Sequence, residues 1–212
     1  PRASYISSTL KNFLKEDDRL FTTNVSYKET NSKDVVRLVS SKEFDLGIVR
    51  CQVLYEPFFL KMIQDEHLDS KVLWQFSPKV LMSPSHPLAG KEPLDHLDFS
   101  QSVELLQGDI QYPSFTPENT DCVLPDSDPR HTIYIYDRGS QYEFLRHLPG
   151  AYMWTSPVPY STLTEAKLIQ RECTRPDNVF KDLLVCRSNY RLSKAETELT
   201  QWLGRTISQL SD

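Results

Sequence analysis

Histidine, cysteine and carboxylate side chains are the first places to look for chemistry, and in this chain they are scattered. The histidines stand at 67, 86, 96, 131 and 147 and the cysteines at 51, 122, 173 and 186. No histidine pair has the helical HExxH spacing, and no cysteine pair has the CxxC spacing that brings two ligands to one metal ion. Asp95, His96 and Asp98 are the one short run that combines acid and base. A short solvated helix in a turn region accounts for them more simply than a catalytic pair. The cysteines read as reduced structural thiols, the ordinary state of free cysteine. Cys122 and Cys173 lie in polar segments where a redox role stays open. Neither a metal nor a cofactor follows from any of these spacings.

The glycines exclude two further classes. They fall at 47, 90, 108, 139, 150 and 204, too far apart to build a phosphate-cradling loop. The nucleophile elbow GxSxG of α/β hydrolases is missing as well.

The chain of 212 residues is 39% hydrophobic and 25% charged, ordinary proportions for a water-soluble domain. Its formal net charge is -5, with basic residues dispersed, so by itself it should not bind nucleic acid. No apolar run reaches the roughly 18 residues that span a bilayer, and the start lacks a basic-then-apolar leader, so a cytoplasmic location is expected.

Hydrophobic periodicity supplies the elements. Tyr5, Ile6, Leu10, Phe13 and Leu14 recur at helical spacing over residues 4–16. Phe21–Tyr27 reads as a strand. Ser32 is placed to cap a helix carrying Val35, Val36 and Val39. Residues 44–49 form an apolar strand, and Tyr55, Phe58, Phe59, Met62 and Ile63 mark a third helix with Pro57 in its first turn. Strands follow at 71–76, 79–82, 103–106, 132–136 and 183–186, with helices ending before Pro149 and spanning 161–171. Residues 108–130 have the composition of a long loop. Ser193 and Glu196 fit a capping box opening a last amphipathic helix. This alternation argues for an α/β fold with mostly parallel sheets.

Several segments in this order resemble the effector-binding domain of LysR-type transcriptional regulators. They are Lys11-Asn12-Phe13-Leu14, the strand at Val25, Lys42-Glu43 followed by Phe44-Asp45-Leu46-Gly47-Ile48, the turn His86-Pro87-Leu88-Ala89, then Leu94-Asp95-His96-Leu97, and Leu192-Ser193-Lys194-Ala195. The resemblance covers nearly the whole chain. It departs at the start, where Pro1-Arg2-Ala3-Ser4 looks like the turn after a first strand that is missing, and at Gly150–Pro157, where Tyr152, Met153 and Trp154 replace small residues.

The resemblance implies a two-lobed α/β fold of the periplasmic-binding-protein-like type II, each lobe a mostly parallel sheet flanked by helices. Lobe one would comprise 1–77 with 187–212 and lobe two 78–186, and the winged helix-turn-helix DNA-binding domain would lie outside this chain. A small effector, possibly a carboxylate, would sit between the lobes, without enzymatic turnover. Helix N-termini suit a carboxylate because they present unpaired N–H groups and the positive end of the dipole. Position by position, the implied ligand-binding residues are Ala3 and Ser4 before helix one, Thr30, Asn31 and Ser32 before helix two, Gln107 and Asp109, Asp137 and Ser140, and Trp154 and Thr155. A homodimer is implied, tetrameric at full length, with helix one and the helix of residues 55–66 as contact surfaces, DNA reached only through the other domain, and no membrane partner. A transporter's solute-binding protein of the same fold is the alternative.

Overall fold

Tyr5, Thr9 and Phe13 recur at four-residue intervals, and all three are buried on one face of the first helix. In the computed structural model, residues 1–16, 24–109, 131–174 and 179–211 are described. In chain order the elements are α1 (Ser4–Lys15), α2 (Ser32–Ser40), β1 (Gly47–Gln52), a 3-10 turn (Val53–Tyr55), α3 (Glu56–Asp65), β2 (Leu68–Phe76) and β3 (Lys79–Met82). There follow a 3-10 helix (His96–Gln101), β4 (Val103–Gln107), β5 (His131–Ile135), α4 (Arg138–His147), β6 (Ala151–Thr155), α5 (Tyr160–Ala166), β7 (Ile169–Arg171), β8 (Phe180–Arg187) and α6 (Lys194–Ser211).

The chain divides into two compact units, Pro1–Ser77 with Ser156–Thr162 and Val179–Asp212, and Pro78–Thr155 with Leu163–Asn178. The last division therefore falls before Val179 and not at residue 187. The reason is that β8 pairs in the first sheet, between β1 and β2, instead of belonging to the second unit.

The first unit is built on the sheet order β1-β8-β2. Alternation along the strands sends Val49, Cys51, Leu183 and Val185 toward Val35, Val36 and Val39 of α2 and Phe59 and Ile63 of α3. The other face packs Tyr5, Trp74 and Phe76 with Leu203 and Ile207 of α6. Gly47 has a steric reason. A Cβ there would lie 2.5 Å from Val35 Cγ1 and 2.9 Å from Val39 Cγ2, so the Asp-Leu-Gly-Ile run needs glycine for α2 to lie this close.

The second unit carries the order β5-β4-β6-β3-β7. Leu81, Leu105, Leu145, Ala151 and Met153 fill one face, and Val80, Met82, Phe99 and Tyr152 the other. The His-Pro-Leu-Ala turn is ordered by its histidine. His86 is buried, its Nδ1 accepts the Leu88 N–H at 3.0 Å, and its carbonyl accepts the Ala89 N–H at 2.9 Å.

The expectation of mostly parallel sheets is corrected. In the first sheet β8 runs antiparallel to both neighbours, because it re-enters from the second unit against the direction of β1 and β2. In the second, β4 is parallel to β5 and β6, while β3 is antiparallel to β6 and β7.

Local corrections follow the hydrogen bonds. Part of the strand expected at Phe21–Tyr27, and most of the loop expected at 108–130, lie outside the described residues. Residues 24–27 form no strand. Asn31, not Ser32, caps α2, accepting the Asp34 N–H at 2.9 Å. The strand placed at 44–49 starts at Gly47 and continues to Gln52. The helix expected over 161–171 stops at Ala166, where Lys167 turns left-handed at φ 54 and the Leu168 N–H returns to Leu163 O at 3.0 Å. This is a Schellman ending, and Ile169 then enters β7. The segment 151–155, treated above only as a departure from the family pattern, is the strand β6.

Candidate functional site

In the first unit two helix starts are tied to one buried charge pair. Ser32, the first residue of α2, donates its hydroxyl to the Arg50 carbonyl at 2.7 Å and accepts the Arg50 N–H at 3.0 Å. Arg50 then grips Asp182 bidentately, Nε to Oδ1 at 2.8 Å and Nη2 to Oδ2 at 2.6 Å. From α1, the Tyr5 hydroxyl donates to Asp182 Oδ2 at 2.7 Å, and Trp74 Nε1 adds a donor at 3.3 Å. The Arg50 guanidinium also lies over the Phe76 ring, 4.8 Å from its centroid.

Burial alone disfavours both charges of the pair. Attraction to Arg50 and the donors around it outweigh that cost and hold the Asp182 carboxyl below the usual carboxylate range. Arg50 is correspondingly held above its ordinary value, with Asp182 the cause that overcomes burial. Burial, reinforced by the Asp182 charge, pushes the Tyr5 phenol well up, so it stays protonated and donates.

The expected residues of this unit divide between the two helix starts. Ala3 and Ser4 are buried at the start of α1, which has no side-chain cap. Thr30 and Asn31 both donate to Asp34 Oδ2, at 3.1 and 3.0 Å, and so act in the cap of α2. Ser32 joins α2 to β1. The network residues Tyr5, Arg50, Trp74 and Asp182 were not anticipated. A signal existed in part: Arg50 is the single charge of the strand Gly47–Gln52, and a buried charge requires a partner.

A groove of about 580 Å³ also lies in the first unit, lined by apolar groups such as Ile6, Leu10, Val25, Ile48, Leu184 and Leu203. Of the expected residues only Thr30 reaches it.

In the second unit the parallel strands β5, β4 and β6 end on one edge, at Ile135, Gln107 and Thr155. The Gly108 N–H donates to the Ile135 carbonyl at 3.1 Å, which places Gln107 and Asp109 beside the start of α4. Asp137 caps that helix, accepting the Ser140 N–H at 2.8 Å. The Tyr136 ring lies so close over Gly108 that a Cβ there would meet it at 2.4 Å. Thr155 accepts from Gln170 Nε2 at 2.7 Å, and Trp154 packs with Val80, Met82, Phe99 and Tyr152. Gln170 is thus a polar neighbour that periodicity had assigned to a helix.

The cysteine chemistry is muted where it is described. Burial pushes the Cys51 thiol up to about 12, and burial raises Cys186 as well, so neither is a ready thiolate. Cys122 lies outside the described residues.

Residues 10–109 match the family model described as the LysR substrate binding domain. No curated protein matches the sequence. Among solved structures, the effector-binding domain of QuiR in complex with shikimate is similar, with 15% identity over 96% of this chain and 90% of that chain and a TM-score of 0.56. The regulatory domain of the LysR family regulator MetR from N. meningitidis shares 14% identity over 97% and 88% of the two chains, with a TM-score of 0.58. A sulfate-bound variant of the OxyR2 regulatory domain from Vibrio vulnificus shares 15% identity over 95% and 89%, with a TM-score of 0.61. Among the described residues no helix is long and apolar enough to cross a membrane. Residues 10–109 thus carry the sequence pattern of a LysR substrate binding domain, and the fold over nearly the full length is similar to that of LysR-type regulatory domains.

Proposed function

We propose that this chain is the sensing half of a cytoplasmic transcription regulator and that it acts by binding a small anionic effector, without chemical turnover. Contacts to the effector come from the helix starts of the first unit, at Ala3, Ser4, Thr30, Asn31 and Ser32, and from the strand ends and helix start of the second, at Gln107, Asp109, Asp137, Ser140, Trp154 and Thr155. The observation that carries the reading is the Arg50–Asp182 pair, which tethers the starts of both α1 and α2 to a rigid sheet. Helix N-termini held in this way present oriented N–H donors at no further ordering cost. The shikimate held by the QuiR domain is a carboxylate, which agrees in charge with such donors.

Signalling then requires different effector affinity in two arrangements of the protein, since a ligand with equal affinity for both shifts nothing. Paired copies of the domain transmit that shift to DNA-binding domains elsewhere in the regulator, with α1 and α3 as the contact surfaces. Leu60 of α3 is exposed and available for such a contact.

A thermal-shift screen with shikimate, benzoate, other small carboxylates, amino acids and inorganic sulfate tests the reading. A ligand that binds only the folded state at about 100 times its Kd adds about 2.7 kcal/mol, a rise in midpoint that is easily seen. The reading fails if no member of the panel raises the midpoint.

A further inference from the structure

One buried polar side chain is used neither by the fold nor by the contacts described so far. Gln141 stands in the first turn of α4, is 1% exposed, and its carboxamide nitrogen has no hydrogen-bond partner among the described residues. Its position is a core position, because Gln141 and Leu145 are the two buried residues of α4, one turn apart. Leu145 packs with Leu105, Ile135, Ala151 and Met153. An amphipathic helix would ordinarily place an apolar residue at 141 also.

A buried donor without a partner bears its full desolvation penalty, so its retention calls for an explanation. Location supplies one. The side chain of a helical residue leans toward the helix N-terminus. Here that is the end where Asp137 caps α4 and where β4 and β5 finish at Gln107 and Ile135. Ligands of α/β proteins lie outside the carboxyl ends of parallel strands, where helix starts converge.

We propose that Gln141 is a specificity residue of the effector site, its amide N–H donating to a carboxylate oxygen of the ligand. This rests on the sensor reading above and adds the discriminating group. A buried donor rejects an analogue lacking the acceptor, since that complex would leave the amide unpaired.

The variant Gln141→Leu tests this in two ways. Without ligand, removing an orphaned donor and filling the site with an apolar group of comparable size should raise the melting midpoint by about 3 °C. With whichever anion of the panel above stabilises the wild-type chain, the variant should bind at least about tenfold more weakly. A lower midpoint for Gln141→Leu overturns the inference, because the amide is then paired within the fold. Unchanged affinity overturns it too, leaving the sensor reading intact. A wild-type chain that no member of the full panel above stabilises removes both readings together.

Discussion

Arg50 and Asp182 are opposite residues of β1 and β8, and their side chains meet as a two-pronged pair with donor–acceptor distances of 2.8 and 2.6 Å. Asp182 has no exposed surface, and Tyr5 and Trp74 complete its shell of donors. Removing one member leaves the other charge buried and uncompensated, which typically costs about 3–5 kcal/mol. Arg50→Met should therefore lower stability to urea by about that amount, whereas Tyr5→Phe, which removes one donor of several, should cost about 1–2 kcal/mol. Equal losses for the two variants would show that the pair does not anchor the unit.

His86 predicts a pH dependence. Burial lowers its pKa, and the Gly150 carbonyl opposes this only in part. The neutral ring is also the form whose Nδ1 accepts the Leu88 N–H. The unfolded chain takes up a proton near the ordinary value of about 6.5 while the folded chain still resists. Stability contributed here is thus complete above about pH 6.5 and is lost as pH falls from there toward the lower folded pKa. His86→Asn, which retains an acceptor at a similar place, should flatten the slope of chemical-denaturation midpoint against pH in that window. A slope equal to that of the wild-type chain would assign it to other groups.

Gly47 predicts a steric penalty. A methyl group 2.5 Å from Val35 Cγ1 must displace α2 or the strand, and overpacking of this kind costs about 1–3 kcal/mol. Gly47→Ala should show this loss in urea denaturation, and adding Val35→Ala should recover part of it. Independent, additive losses would mean that the two sites do not share the clash.

Much of the framework is legible in the sequence where hydrophobic period and turn chemistry agree. Phe13 with Tyr5, Val35 with Val39, and Leu203 with Ile207 mark faces that do pack inward. The capping box at Ser193 and Glu196 forms as its residue types suggest. Legibility ends where a few residues serve two patterns. Leu163, Ala166 and Ile169 fit one helix by spacing, but Lys167 in the left-handed region divides them between α5 and β7. Tyr152–Thr155 reads as an irregular bulky segment until β3 and β4 are seen to pair with it on either side.

The polar groups show the same limit from the other direction. Thr30, Asn31, Asp137 and Ser140 were recognisable as turn and cap residues, and they do form caps. The partnership of Arg50 with Asp182 joins residues far apart in the chain, and only the register of β1 against β8 brings them together. Gln141 is invisible to periodicity for the same reason, since its burial depends on what covers the start of α4.

The account depends most on effector contacts arising from the polar ends of both sheets. Titration calorimetry with a carboxylate that stabilises the wild-type chain, repeated on Ser32→Ala and Thr155→Ala after circular dichroism has shown both to be folded, measures this directly. Ser32→Ala, which unties the start of α2 from Arg50, and Thr155→Ala, which removes a hydroxyl, are each expected to weaken affinity by about three- to tenfold. Wild-type affinity in both variants would contradict the assignment.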